Sequence, residues 1–444
     1  MHSIHIPYGK AALEIAIPNQ WLGVVANPQD VSAAADPQAL LRASLRNPLG
    51  SPPLRELVKP GMRTALIVDD FTRKTPVDQI LPLLLEELHR AGLSQDNICI
   101  VLALGTHRPM TEAEVRAKLG LEAMRGYKIV NVPASDRDQL VYLGGSERGI
   151  PGWVSRFVAE ADLRIGVGMI TPHLEAGFTG GAKIILPGVC GEATVDAFHQ
   201  ASAFIRENQL GNIRAPLRND LEQFVAQVVP LHFIVNLILT LQGEIFQCVA
   251  GDVIEAHRAG VEYARQVYGV RLDRRYPVVL ANAYPYDQDL WQSVKGIFCG
   301  DLLVEDGGTL IVLTAAQEGN SSYPLLPDYI GRDPEELLSE LQAGGTRDPK
   351  QAATGVMIAR LRRRIHLALV SSGLTPSDAH VMNIPLFETA NEALQSAFER
   401  LSPDHRHNSL AVLPYAGVVL PLLESPRNHS LSSFHEREGG HAAK

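Results

Sequence analysis

The sequence predicts an α/β protein of two α/β domains with mostly parallel sheets and a cleft between them. Short β-branched runs alternate with stretches of helical period from residue 64 to residue 170. The alternation restarts beyond a polar join at 268–276 (YGVRLDRRY). Strands separated by helices of about 10–15 residues build βαβ units and hence parallel sheets. The 444 residues also suit two or three domains at roughly 150 residues each.

The first strand is TALIVDD (64–70), and VDQILPLLLEELHRAGL (77–93) then repeats apolar residues at i, i+3, i+4 and i+7, the helical period. NICIVLAL (97–104) is the second strand. Thr111-Glu-Ala-Glu114 is a capping box that opens a helix to about Lys118. YKIVNV (127–132) and LRIGVGMI (163–170) are further strands, with a helix expected over 150–161, Pro151 near its start. After a helix at 253–268, strands are expected at 276–283, 308–316, 365–372, 380–387 and 409–416. Helices at 288–297, 334–343 and 389–401 separate several of them. The expected boundaries are 1–270 for the N-terminal domain, 271–424 for the C-terminal domain, and a polar, mobile tail over 425–444.

Composition removes several classes of function. Forty basic against 49 acidic residues give a net charge of −9, which argues against binding along a nucleic-acid backbone. The longest apolar run, 229–241, is too short to span a bilayer, and no signal peptide opens the chain, so a soluble cytoplasmic protein is expected. Four cysteines without a C-x-x-C pair exclude a disulfide framework and a thiolate zinc site.

Candidate chemistry gathers at strand ends, where open α/β sheets bind ligands. Asp70-Phe-Thr72-Arg73 follows the first strand, His107 follows the second, and His173 follows LRIGVGMITP. Each alone reads equally as a polar loop; two histidines facing one crevice suit acid–base work. The segment Met169–Gly191 holds five glycines and Lys183. Its glycines allow either an irregular turn or a close backbone approach to a ligand. It is not a P-loop, because the lysine lies in Gly-Ala-Lys-Ile, and Gly166-Val-Gly168 lacks the third glycine of a dinucleotide fingerprint. His199 falls on a helix beyond this loop, and Gln292 and Lys295 share one face of the helix after the strand at 276–283.

In order along the chain, DDFTRKTP (69–76), GTHRPMTEAEV (105–115), PHLEAGFTGGAKIILPG (172–188), His199 and QSVK (292–295) resemble the nickel-dependent lactate racemase family, over residues 10–420 or so. That resemblance implies an isomerase that inverts Cα of a 2-hydroxy acid, with a nickel-pincer nucleotide (pyridinium-3,5-bisthiocarboxylic acid mononucleotide) joined covalently to Lys183. It implies His199 as nickel ligand and His107 and His173 as the acid–base pair. Arg73, Lys295 and Gln292 would hold the substrate, while Asp70, Thr72, Gly177, Gly180 and Gly181 would contact the cofactor. Cofactor-building enzymes would be needed for maturation. Lys74 and Trp291 depart from the family pattern, and Trp291 bears on the size of the substrate. The rivals are a sugar-acid (gluconate-type) 2-epimerase, a non-catalytic binding homologue and, last, a nicotinamide dehydrogenase.

The chemistry agrees with the residue types. An ionised carboxylate disfavours a carbanion at Cα, whereas loss of hydride gives a planar 2-keto acid. Imidazoles suit proton exchange near neutral pH, and an arginine fork suits the carboxylate. A nickel ion given sulfur by its cofactor needs only an imidazole from the protein.

Overall fold

The computed structural model describes residues 1–121, 125–320 and 323–423; the tail expected over 425–444 lies outside them. Two six-stranded sheets carry the chain. The first runs Ile245–Gly251, Phe233–Leu239, Leu163–Met169, Thr64–Asp69, Ile98–Ala103, Lys128–Val130, parallel throughout except at the Ile245–Gly251 edge. Thr64–Asp69 is buried along its whole length, because helices cover both faces of the sheet and leave no polar side. The helix Val77–Arg90 buries Val77, Ile80, Leu81, Leu84 and Leu88 on that sheet, as its period demands.

From Thr64–Asp69 the chain winds outward to Ile98–Ala103 and Lys128–Val130, then returns to Leu163–Met169 on the opposite side. The reversal of strand order opens a crevice at the carboxyl ends. The second sheet, Leu386–Phe387, His366–Val370, Val304–Leu313, Tyr276–Asn282, Leu410–Leu413, Leu22–Val25, is wholly parallel and reverses beside Tyr276–Asn282. Its reversal point feeds the helix Leu290–Asp301, capped by Asp289.

Several expectations need correction. Residues 150–161 are not one helix: Pro151–Ser155 is a strand paired with Leu140–Gly145, and only Arg156–Ala159 is helical. Cross-strand pairs Val141–Val154 and Tyr142–Trp153 outweigh the helical pattern there. Residues 380–387 are not one strand, because the capping box Thr375–Asp378 starts a helix, Pro376–Met382, that ends at left-handed Asn383. Only Leu386–Phe387 pairs. The apolar run 229–241 contains a further interior strand of the first sheet, Phe233–Leu239.

The chain's start also departs from a 1–270 domain. Leu22–Val25 pairs with Leu410–Leu413, and the hairpin His2–Tyr8/Ala11–Ile17 packs Ile6, Ile15 and Ile17 among residues of the second sheet. Trp21 stacks on Phe398 with ring centroids 3.8 Å apart. Sequence order hid this because no pattern within 1–26 names a partner some 390 residues away. A chain beginning at residue 27 should therefore lose thermal stability in its second domain, seen in calorimetry as a lowered transition; an unchanged transition contradicts this pairing as a structural requirement.

Candidate active site

The first sheet delivers three loops into its crevice. Asp70, buried at the end of Thr64–Asp69, accepts hydrogen bonds from the Thr72 amide (3.1 Å) and hydroxyl (2.6 Å). The Arg73 guanidinium donates to Thr72 Oγ1 at 2.9 Å, so the Asp70–Arg73 turn presents its cation in a set position. Behind it, buried Lys118 donates to the Arg73 carbonyl (2.8 Å) and pairs with Asp69 (2.7 Å). His107 Nδ1 lies 2.6 Å from Asp70 Oδ2. Burial works against the Asp70 carboxylate, but the His107 and Thr72 hydrogen bonds and the His107 and Arg73 charges hold its pKa below the ordinary value. Asp70 therefore accepts the Nδ1 proton, leaving His107 Nε2 free as a base.

His173 is held the opposite way. Its Nδ1 accepts from the Glu175 and Ala176 amides at 3.2 and 3.3 Å, which puts the proton of the neutral ring on Nε2. Burial, then the charges of Lys183, Arg73 and Lys295, push its pKa well below 6.5. The loop from His173 to Lys183 is braced from beneath by Arg218, which is fully buried. Its guanidinium donates to the carbonyls of Ala176 (3.1 Å), Gly180 (3.4 Å) and Phe178. His257 Nε2 meets the Thr179 carbonyl at 2.9 Å, and Asn236 Oδ1 accepts from the Gly181 amide at 2.8 Å. Gly177 (φ +71°) needs its glycine twice over, since a Cβ would stand 2.0 Å from the Asn212 carbonyl oxygen.

Lys183 follows on the turn Gly181–Ile184. Burial and the Arg73 charge lower its pKa to about 7, with Glu175 opposing and Arg218 assisting. Its amine has no hydrogen-bond partner among the described residues. His199, on the helix Glu192–Ser202, places Nδ1 2.8 Å from the Val195 carbonyl, so Nδ1 is the donor and Nε2 carries the lone pair. Nε2 lies 3.6 Å from buried Glu175.

The second domain adds Lys295, whose ammonium donates to Gln292 Oε1 at 2.7 Å and sits 3.3 Å from the centre of the Tyr286 ring. Burial and the Arg73 charge push its pKa well below 10.5. The cleft has two lobes. One, about 90 Å³, is lined by Asp70, Thr72, Gly180 and Asn236, and the other, about 150 Å³, by His173, Glu175, His199, Trp291, Gln292 and Lys295. Arg73, His107 and Lys183 line both.

The structure thus brings together Asp70, Thr72, Arg73, His107, His173, Gly180, Lys183, His199, Gln292 and Lys295. Gly177 and Gly181 stand apart from both lobes: their close neighbours are Asn212 and His257, so their part is to shape the loop. Glu175, Asn236, Tyr323, Lys350 and Thr354 also line the cleft and were missed. Asn236 had a signal, a polar residue interrupting an apolar run. Lys350 had none, since its helix Pro349–Arg364 reaches the cleft only through tertiary packing.

The donor set fits a metal held mainly by a bound group. Among the described residues no cluster of three or more His, Cys, Asp or Glu is arranged to hold a metal. Burial pushes the Cys99 thiol up to about 11 and the Cys248 thiol up to about 12, with Cys190 and Cys299 also raised, so none of them is disposed to act as a thiolate ligand. His199 Nε2 and the unpartnered Lys183 amine remain, one a nickel-compatible donor and the other a nucleophile for covalent attachment.

A family model of the lactate racemase N-terminal domain matches residues 8–211, and one of the C-terminal domain matches 276–420. The lactate racemase of Lactiplantibacillus plantarum is 30% identical over 412 residues, 90% of this chain and 96% of that one. That of Thermoanaerobacterium thermosaccharolyticum is 29% identical over 354 residues, 78% and 82% of the two chains. The solved structure of the lactate racemase apoprotein from the latter organism gives a TM-score of 0.82 at 25% identity, covering 95% of this chain and all of that one. A Thermotoga maritima protein shares the fold with a TM-score of 0.61 at 19% identity, covering 87% of this chain and 98% of its own.

Two outcomes follow from the site's electrostatics. Labelling of Lys183 by an amine-directed reagent, followed by peptide mass analysis, should reach half its maximal rate near pH 7, against about 10.4 for an ordinary lysine. Arg218→Met should move that midpoint upward, because it removes a neighbouring charge and the brace on the loop; a wild-type midpoint near 10 contradicts the buried amine. Separately, His173 and His257 have folded pKa values well below 6.5. The stability they contribute is complete above 6.5 and declines as pH falls toward their folded values. The thermal midpoint should drop between pH 7.5 and 5.5, and a flat or rising midpoint contradicts it.

Proposed function

The chain belongs to the lactate racemase family, and from that premise we propose that it is a racemase or epimerase of 2-hydroxy acids, working through hydride transfer with a nickel-pincer nucleotide. The observation that carries this is the convergence of two oppositely held histidines, a lysine with a pKa of about 7 and a metal-competent histidine on one cleft. Lys183 would hold the nucleotide covalently and His199 would ligate the nickel; when bound, the cofactor accepts and returns the hydride of Cα. Asp70, Thr72 and Gly180, in the smaller lobe, would line its seat, with Gly177 and Gly181 shaping the loop beneath.

The protein's own groups bind, orient and move the proton. Arg73 and Lys295 take the substrate carboxylate, and Gln292 keeps the Lys295 ammonium in place through its Oε1. Anion binding suits this lysine, since burial and the like charge of Arg73 are what depress it. His107 Nε2 takes the hydroxyl proton as the hydride leaves, and Asp70 stabilises the resulting imidazolium. On the other face of the planar keto acid, His173 Nε2–H would donate its proton to the re-forming hydroxyl. Exchange with solvent would then return a proton to His173 and remove one from His107 before the next turnover. The two amide donors at its Nδ1 stabilise the electron density left on the ring. The opposite direction needs the proton positions exchanged, so the resting tautomers favour entry of the enantiomer whose hydroxyl faces His107. A binding protein without turnover has no use for this complementary pair.

Protein made together with the cofactor-building enzymes should show an intact-mass adduct that maps to Lys183, with bound nickel. His107→Ala and His173→Ala should each lower interconversion by at least about 100-fold, the lower range for a lost general acid or base, in a chiral assay of both directions. Full activity in nickel-free protein, or an unchanged rate in either variant, contradicts the mechanism.

A further inference from the structure

The larger lobe carries a positive group that the reaction above leaves unused. Lys350 lies in the first turn of the helix Pro349–Arg364 and lines the cleft with Trp291, Tyr323 and Thr354. Its ammonium sits 4.8 Å from the centre of the Tyr323 ring and 5.5 Å from that of Trp291, and these two rings stack at 4.2 Å. Its hydrogen bond is to the Thr106 hydroxyl, at 3.4 Å, beside His107. Among the described residues no carboxylate pairs with it within 4 Å. Asp196 feels its charge, but only through space.

Arg73, Lys183 and Lys295 form a different group, in which each lysine feels the charge of Arg73. The lobe therefore has two cationic poles, one meeting the reacting carboxylate and one flanked by an aromatic pair. Glu175 is the one carboxylate among its lining residues, and it faces His199. A solvated lysine would gain nothing from reaching into a cleft. One held over two ring faces is partly desolvated, and ammonium donors beyond the Thr106 bond are open to an anion.

We infer that Lys350 is a specificity-determining residue that receives a second carboxylate, at the far end of the Cα substituent, so that the preferred substrates are 2-hydroxy dicarboxylic acids. Trp291 and Tyr323 wall the methylene chain between the two charged ends, and Thr106 adds a hydroxyl beside the second carboxylate. The inference rests on the racemase reading and narrows its substrate.

The test is a chiral assay of cofactor-loaded protein on 2-hydroxysuccinate, lactate and gluconate. The dicarboxylate should exceed both others in kcat/KM by at least about 10-fold, the lower range for a charged hydrogen bond. In Lys350→Met the ratio of dicarboxylate to lactate should fall by about 10- to 100-fold, mostly through KM. Lys350→Arg should retain most of the ratio, because the charge persists. A wild-type preference for lactate or gluconate overturns the inference while leaving the racemase reading intact. A Lys350→Met variant that slows all three acids alike also overturns it, and is the result expected if Lys350 meets the nucleotide's phosphate instead. Loaded protein that interconverts none of the acids overturns both readings.

Discussion

Burying several positive charges around one cavity is the constraint to which the rest of this site answers. Arg73 and Lys183 come from two loops of the first domain and Lys295 from a helix of the second, and each lysine is depressed by burial and by Arg73. Like charges out of water are costly unless something lowers their charge or supplies an anion. Here Lys183 approaches neutrality, which makes its amine a nucleophile. An anionic ligand placed among these groups would offset their mutual repulsion.

Holding such a site requires a rigid frame, and the frame is built from buried polar bonds beneath the loops. Arg218 spends its guanidinium on three carbonyls of the glycine-rich loop, and His257 takes a fourth. Lys118 does similar work for the Arg73 loop through Asp69 and a backbone carbonyl. The glycines allow the loop to turn its carbonyls inward, and the buried donors keep them there. Satisfied hydrogen bonds thus act together with the core packing of Ala176, Phe178 and Ala182 to hold this region.

The contrast between His107 and His173 follows from their anchors. A carboxylate accepts from His107 Nδ1, whereas two backbone amides donate to His173 Nδ1. Chemically equal side chains acquire unequal roles, and a reaction that must deliver a proton to one face after removing it from the other can use that inequality. The second domain places Lys295, Gln292 and the aromatic wall with Lys350 on the cleft, opposite the two histidines' loops.

Much of this was legible along the chain. Buried parallel strands advertise themselves as apolar runs, so Thr64–Asp69, Ile98–Ala103 and Leu163–Met169 were visible, as were the polar residues just beyond their ends. Local rules also locate the capped helix at Glu112–Leu119, whereas over 380–387 the apolar pattern predicts a strand and the capping box at Thr375–Asp378 overrides it. Pairing across long separations was decided by tertiary structure alone. Leu22–Val25 completes the second sheet, and residues 150–161 yield to a hairpin partner, because ladder hydrogen bonds depend on what lies alongside and not on what comes next. The residue types at the site were set by the sequence; their proton positions, the braces Arg218 and His257, and the reach of Lys350 were not, since burial and neighbouring charge exist only once distant segments meet.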